Sequence, residues 1–196
     1  MKPRDVPPPS QLPGSYWVVP GRLLAGEYPY APDPARGRGK VRALVEAGVD
    51  CIIDLTEEGE HGLSPYAPAL EEEARAAGRA VDRVCIPVPD FGVPADPRRA
   101  LDTLEGALDD GRTVYLHCFG GIGRTGTLVG LYLVEQGFTG AGALEEISRL
   151  RAALTPHRSR AGVLRSPESE EQRELVRTWR GKKAPVAAGT PRPCAR

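Results

Sequence analysis

"HCFGGIGRTG", His117 to Gly126, sets a histidine and a cysteine directly before a run holding Gly120, Gly121 and Gly123, then closes on Arg124 and Thr125. Glycines this dense are entropically costly to order, so this place needs bare backbone. Just upstream, "TVYLH" (113–117) is a short β-rich run. Just downstream, Arg124 to Gln136 reads as a buried helix. A glycine-rich turn joining a strand to a helix is the signature of an α/β unit.

The flanking chain repeats that alternation. "YWVV" and "RLLAG", separated by a Pro-Gly turn, read as a short hairpin or two edge strands. "KVRALVEAG" reads as a helix that Gly48 ends, and "CIIDL" (51–55) as a buried strand. "PYAPALEEEARAAG" puts Tyr66, Leu70 and Ala74 on one helical face, and "VDRVCIPV" follows as a strand. Leu101, Leu104 and Leu108 mark the next helix. Beyond the glycine run, 143–154 reads as an amphipathic helix and 167–180 as a last one, with Ser166 and Pro167 as its start. The expectation is an α/β fold with a mainly parallel central sheet flanked by helices. One domain should cover 16–180, between a Pro-rich tail (1–15) and a basic, disordered tail (181–196).

Composition removes several classes. Lys+Arg and Asp+Glu both number 26. This balance gives no electrostatic reason for nucleic acid or an anionic membrane as partner. No apolar run reaches the roughly 18 residues of a spanning helix, and "MKPRDVPPPSQLPGS" lacks an apolar signal region, so a cytoplasmic place is expected. The four cysteines show no metal-like spacing, and His61 and His157 show no ligand spacing with His117; neither metal nor cofactor is expected.

The glycine run has its own chemistry. In an open α/β sheet ligands bind at the carboxyl ends of the strands. Successive N–H groups of Phe119, Gly120, Gly121, Ile122 and Gly123 can turn inward as an anion nest, beside the positive end of the following helix. Arg124 adds a planar fork for two oxygens of a phosphate. These donors also favour a thiolate at Cys118. An oxyanion cradle around a nucleophilic sulfur suits attack on the phosphorus of a phosphate ester. As a mere surface charge Arg124 is poorly placed, because that end of a helix disfavours cations.

"HCFGGIGRTG" resembles the HC-x5-R-[ST] signature of the cysteine-based protein tyrosine phosphatases. "VVPGRLLAGEYP", "GVDCIIDLTEEGE", "IPVPDFGVP" and "SPESEEQRELVRTW" extend the resemblance to small dual-specificity members, compact bacterial and cyclin-dependent-kinase-associated ones, over about residues 16 to 180. The loop motif is specific; the others are supporting and individually weak. The resemblance implies Cys118 as nucleophile, Thr125 as the hydroxyl that stabilises the departing thiolate, and Gln172 as a residue positioning the hydrolytic water. Read from the residues alone, Thr125 is equally an N-cap and Gln172 a polar residue at the edge of the core. His117 reads as a buried organiser of the cysteine loop.

A leaving alkoxide or phenoxide needs a proton. Asp96, followed by Pro97, has the signature of a helix cap. Asp90, in "PDFG", starts no helix and lies in a loop punctuated by proline and glycine; the resemblance also points to it as the general acid. The expected function is phosphomonoester hydrolysis on phosphotyrosine, and phosphoserine or phosphothreonine, in proteins or peptides, with phosphate or vanadate as active-site ligands. Phosphoinositides or inositol phosphates are the rival substrates, although "FGGIG" carries no extra cation and only Arg158, Arg160 and Arg165 are candidates to supply one. A catalytically weak phosphate-binding module is the rival of another class.

Overall fold

A computed structural model describes residues 13–152, 154 and 165–182. The expected tails, up to residue 12 and beyond 182, lie outside the described residues, as do Arg158, Arg160 and His157. The strands are β1 (Ser15–Val19), β2 (Leu23–Gly26), β3 (Cys51–Asp54), β4 (Asp82–Cys85) and β5 (Val114–His117). The helices are α1 (Pro34–Glu46), α2 (Ala67–Ala76), α3 (Pro97–Asp109), α4 (Gly123–Glu135), α5 (Gly140–Arg151) and α6 (Glu170–Thr178).

The strands form one sheet in the order β1-β2-β5-β3-β4. β1 and β2 are the expected antiparallel hairpin; every other pairing is parallel. Alternation along the strands divides the core. Leu23, Ala25, Ile53, Val114 and Leu116 face α3 to α6, where Leu101, Leu104, Leu128, Ile147 and Val176 close over them. Leu24, Ile52 and Tyr115 face the other way, onto Val41, Leu44 and Leu70 of α1 and α2. Tyr66, Leu70 and Ala74 are all buried, as their four-residue spacing predicts.

Helix α4 occupies the centre of its layer. All its residues except Tyr132 are buried, so it is enclosed on every side rather than amphipathic. Its N-terminus is thereby fixed at the end of β5, which is central in the sheet.

Several boundaries differ from the sequence reading; for three helices a capping side chain sets the start. α1 starts earlier than the "KVRALVEAG" run, at Asp33, whose carboxylate accepts from the Arg36 N–H. α5 starts at Thr139, which accepts from Gly142. α6 does not start at Ser166 and Pro167: Ser169 and Gln172 form a reciprocal capping box three residues later. β4 is shorter than "VDRVCIPV", and as the sheet's edge it is largely exposed. β1 includes Ser15, and Lys182 donates its N–H to buried Glu135.

Asp96 caps α3. Its carboxylate accepts from the Arg99 N–H at 3.0 Å, and Pro97 occupies the first helical position. Asp96→Ala should cost about 1 kcal/mol of stability, the usual loss for a removed cap. Urea denaturation checks this; an unchanged midpoint would take the capping role from Asp96.

Candidate active site

The β5–α4 loop turns its carbonyls outward and pins them. The Phe119 carbonyl accepts from the Tyr28 N–H at 2.9 Å. That of Gly121 accepts from Arg151, and that of Ile122 from the Ser166 hydroxyl at 2.7 Å. Among the described residues, no protein acceptor takes the N–H groups of residues 119–123. A loop whose acceptors are tied away and whose donors are left over is a nest for an anion.

Gly121 makes this path possible. Its φ is +65°, and a Cβ there would lie 2.4 Å from the Gly26 carbonyl carbon. The loop lies directly on the end of β2, and only glycine fits both the conformation and the approach.

Cys118 is a free thiol, buried at the base of the loop. His117 before it is fully buried and places Nδ1 3.2 Å from the Cys118 carbonyl and Nε2 2.9 Å from the Tyr66 hydroxyl. Tyr66 also donates its hydroxyl to Asp54 Oδ2 at 3.0 Å, so the phenol stands between the carboxylate and the imidazole. Burial, the largest influence, pulls the pKa of His117 down against the opposing pull of Asp54. The same burial raises that of Tyr66. A carboxylate, a phenol and an imidazole thus form a buried line behind the cysteine. His117 is buried and bonded to the cysteine loop; the sequence reading did not place Asp54 or Tyr66 in the site.

Thr125 is not the cap of α4. The capping position is Ile122, which offers no side-chain bond, so the helix's first donors stay open toward the nest. The Thr125 hydroxyl is buried in the first turn and unpartnered among the described residues.

Arg124 is 2% exposed. Its Nη1 donates to Glu60 Oε2 at 2.6 Å and to the Val88 carbonyl at 3.0 Å. Its Nη2 reaches Glu60 Oε1 at 2.6 Å and Asp90 Oδ1 at 3.1 Å. Burial works against the arginine charge, but Glu60, Cys118 and Asp90 outweigh it and raise its pKa. Glu60 answers in kind: burial pushes its carboxyl up, while the Arg124 hydrogen bonds bring it below the ordinary value.

Asp90 is therefore at the nest, whereas Asp96 is occupied at its helix. Asp90 Oδ2 lies 3.0 Å from His61 Nε2, and the His61 ring sits 4.7 Å from that of Phe119. Gln172 is buried. Its Oε1 accepts from the N–H groups of Glu168 and Ser169, and its Nε2 donates to the Gly92 carbonyl at 2.8 Å. It thus ties the loop after Asp90 to α6. Glu60, His61 and Asp90 bring ligating atoms within 4.8 Å of one another, but these atoms are already bonded among themselves and to Arg124. Neither Glu60 nor His61 carried a local signal; "EEGEHG" reads as a charged turn.

Residues 13–176 match the family model PTP-SAK, a Swiss Army Knife protein's DSP-PTPase phosphatase domain. The chain belongs to this family. Phosphatidylglycerophosphate phosphatase PTPMT2 of Arabidopsis thaliana is 30% identical to this DSP-PTPase domain over 158 residues, 76% of this chain and 63% of that protein. The chain spans less than two thirds of the length of the curated relatives it matches, 38% in one case. Among solved structures, Tk-PTP in its active form gives a TM-score of 0.62 at 23% identity, covering 84% of this chain and 94% of that one. PTPMT1 in complex with PI(5)P gives 0.59 at 21% identity, covering 83% and 92%. These structures share the fold. Among the described residues, no helix is long and apolar enough to cross a membrane.

The Glu60–Arg124 pair generates a pH prediction. A carboxyl whose folded pKa lies below its unfolded value adds stability above the unfolded pKa. That stability is lost as pH falls through the folded one. Below the ordinary value of 4.5 the protein should lose melting temperature as Glu60 protonates. Glu60→Gln should lack that portion of the loss. Identical acid-side melting curves for the two proteins would show that the pair adds nothing.

Proposed function

We propose that this domain hydrolyses phosphate monoesters through a phosphocysteine. The observation that carries the reading is the pinned loop: outward carbonyls, open N–H groups, a buried free cysteine and a buried arginine at one helix end. Cys118 Sγ attacks phosphorus, forming the S–P bond as the P–O bond to the leaving group breaks. The loop N–H groups and Arg124 hold the phosphoryl oxygens, where the transition-state charge is spread. Asp90 protonates the leaving oxygen, then takes a proton from the water that splits the S–P bond. Thr125 offers its unpartnered hydroxyl to the departing thiolate. Gln172 fits less readily as a water-orienting group, since its oxygen already accepts two N–H bonds.

Phosphotyrosine in proteins is the substrate we favour, with phosphoserine and phosphothreonine as further candidates. Phe91 and Phe119 are the exposed large hydrophobic side chains of the described residues, 56% and 44% accessible, and each adjoins a residue of the site. An aryl ring above the nest would cover them. A second reading, a phosphoglycerolipid, is favoured by the likeness to PTPMT2, and the same two rings would suit an acyl or headgroup surface. Turnover of a phosphotyrosine peptide, phosphatidylglycerophosphate and a phosphoinositide, each with the same enzyme preparation, separates these substrates. A preference for either lipid would overturn the protein reading.

Cys118→Ser should bind the ester and fail to turn it over, because a hydroxyl is a far poorer nucleophile than a thiolate. Equal rates in mutant and wild type would remove the mechanism; failure of both to turn over any ester would leave a binding module.

Asp90→Ala should lose roughly a hundredfold or more in kcat on phosphotyrosine, the usual contribution of a general acid. It should lose much less on an aryl ester with an acidic phenol, which leaves without help. A uniform loss across leaving groups would remove Asp90 from the acid role.

A further inference from the structure

The turn between β3 and α2 is built from left-handed backbone. Gly59 has φ +75°, His61 +50° and Gly62 +66°. The two glycines need no explanation beyond that conformation, since a Cβ at either would meet open space. His61 is different. A side chain in this region is strained, and persists where the surroundings over-determine it. Glycine would fold the turn more easily, yet the chain places a histidine here.

The His61 side chain joins both halves of the site. Nε2 lies 3.0 Å from Asp90 Oδ2 and 3.5 Å from Glu60 Oε1. The ring packs on Phe119, the residue after the cysteine. An ionised carboxylate only accepts hydrogen bonds, so Nε2 carries the hydrogen and donates it. The bond divides the Asp90 carboxylate. Oδ2 is held by His61, while Oδ1 points inward, 3.1 Å from Arg124 Nη2 and from its neighbour's N–H on Phe91.

We propose that His61 is a positioning residue for proton transfer, resting on the reading of Asp90 as the proton donor. By taking Oδ2 it leaves Oδ1 as the oxygen that carries the proton and presents it to the ester oxygen over the nest. By packing on Phe119 it holds the acid-bearing loop in register with the cysteine loop. The proton passes from Oδ1 to the leaving oxygen as the P–O bond breaks, and the carboxylate that remains keeps its bond from Nε2. His61 itself exchanges no proton.

The test uses two variants of the full chain. His61→Gly removes the side chain and suits the backbone, so its melting temperature should hold or rise. His61→Gln restores an N–H donor at about the reach of Nε2. With a phosphotyrosine peptide, His61→Gly should lose roughly tenfold in kcat, the order expected when one hydrogen bond to a charged group is lost. On an ester of an acidic phenol its kcat should stay near wild type. His61→Gln should recover most of the loss. In an Asp90→Ala background, His61→Gly should cost nothing further. The proposal is overturned by an unchanged or faster rate in His61→Gly, by an equal loss on both esters, by a glutamine variant no better than glycine, or by additive losses in the double mutant. Asp90→Ala alone tells the two failures apart. If it shows no leaving-group dependence, the acid assignment falls. If it does and His61→Gly does not, His61 alone is removed.

Discussion

A guanidinium almost wholly removed from water, at the helix end where the dipole disfavours cations, has to be neutralised. Arg124 gathers the site around that requirement. Glu60 comes from the turn after β3, Val88 and Asp90 from the segment after β4, and Cys118 from the end of β5. These lie at the carboxyl ends of three adjacent parallel strands, where an open α/β sheet binds its ligands. The charge explains why Glu60 alone turns inward from a turn whose other glutamates, Glu57 and Glu58, stay in solvent.

The terminal nitrogens of Arg124 donate three hydrogen bonds, to two oxygens of Glu60 and the Val88 carbonyl, and Asp90 Oδ1 lies 3.1 Å from Nη2 as an ion pair. A phosphoryl group entering the nest competes for these donors. Glu60 holds on with two short bonds and a side chain 7% exposed; Asp90 makes one longer ion-pair contact and is 35% exposed. On the mechanism proposed above, Asp90 Oδ1 is therefore the group that gives way on Nη2, and a phosphoryl group that displaced it would leave it beside the ester oxygen, where a proton donor is of use.

What was legible in the sequence was local. The cradle could be read because its nucleophile, bare backbone and arginine lie within ten consecutive residues, with a strand before and a helix after. Asp96 could be read as a cap because Pro97 marks one within one residue. The periodic leucines of α3 and the Tyr66 face of α2 were legible for the same reason. The places of Glu60, His61, Asp54 and Tyr66 in the site were not. These residues reach the site only through the parallel pairing of β3 with β5, which sets Asp54 opposite His117 across more than sixty residues of chain. A charged turn carries no local mark of where the sheet will place it. The misplaced start of α6 has a similar origin: Ser166 and Ser169 are equivalent as isolated cap candidates, and Gln172 decides between them by closing the box.

Gln172 also shows how one residue couples the layers. Its oxygen completes the cap of α6 and its nitrogen holds the Gly92 carbonyl, while a Cβ on Gly123 would lie 2.9 Å from the same amide. The start of α4, the start of α6 and the loop behind Asp90 therefore meet at a single buried side chain. Along α4, Gly130 allows Val176 of α6 the same close approach. The two helices are thus packed backbone to side chain along their length, so the nest at the head of α4 cannot shift without moving α6. The loop bearing Asp90 is bound to that rigid pair at Gly92, two residues beyond the carboxylate. Its freedom is confined to the short stretch that carries Asp90 and the exposed Phe91. On the proposed mechanism, Asp90 would need freedom of that limited kind: enough to swap its contact with Arg124 for another, and too little to leave the site.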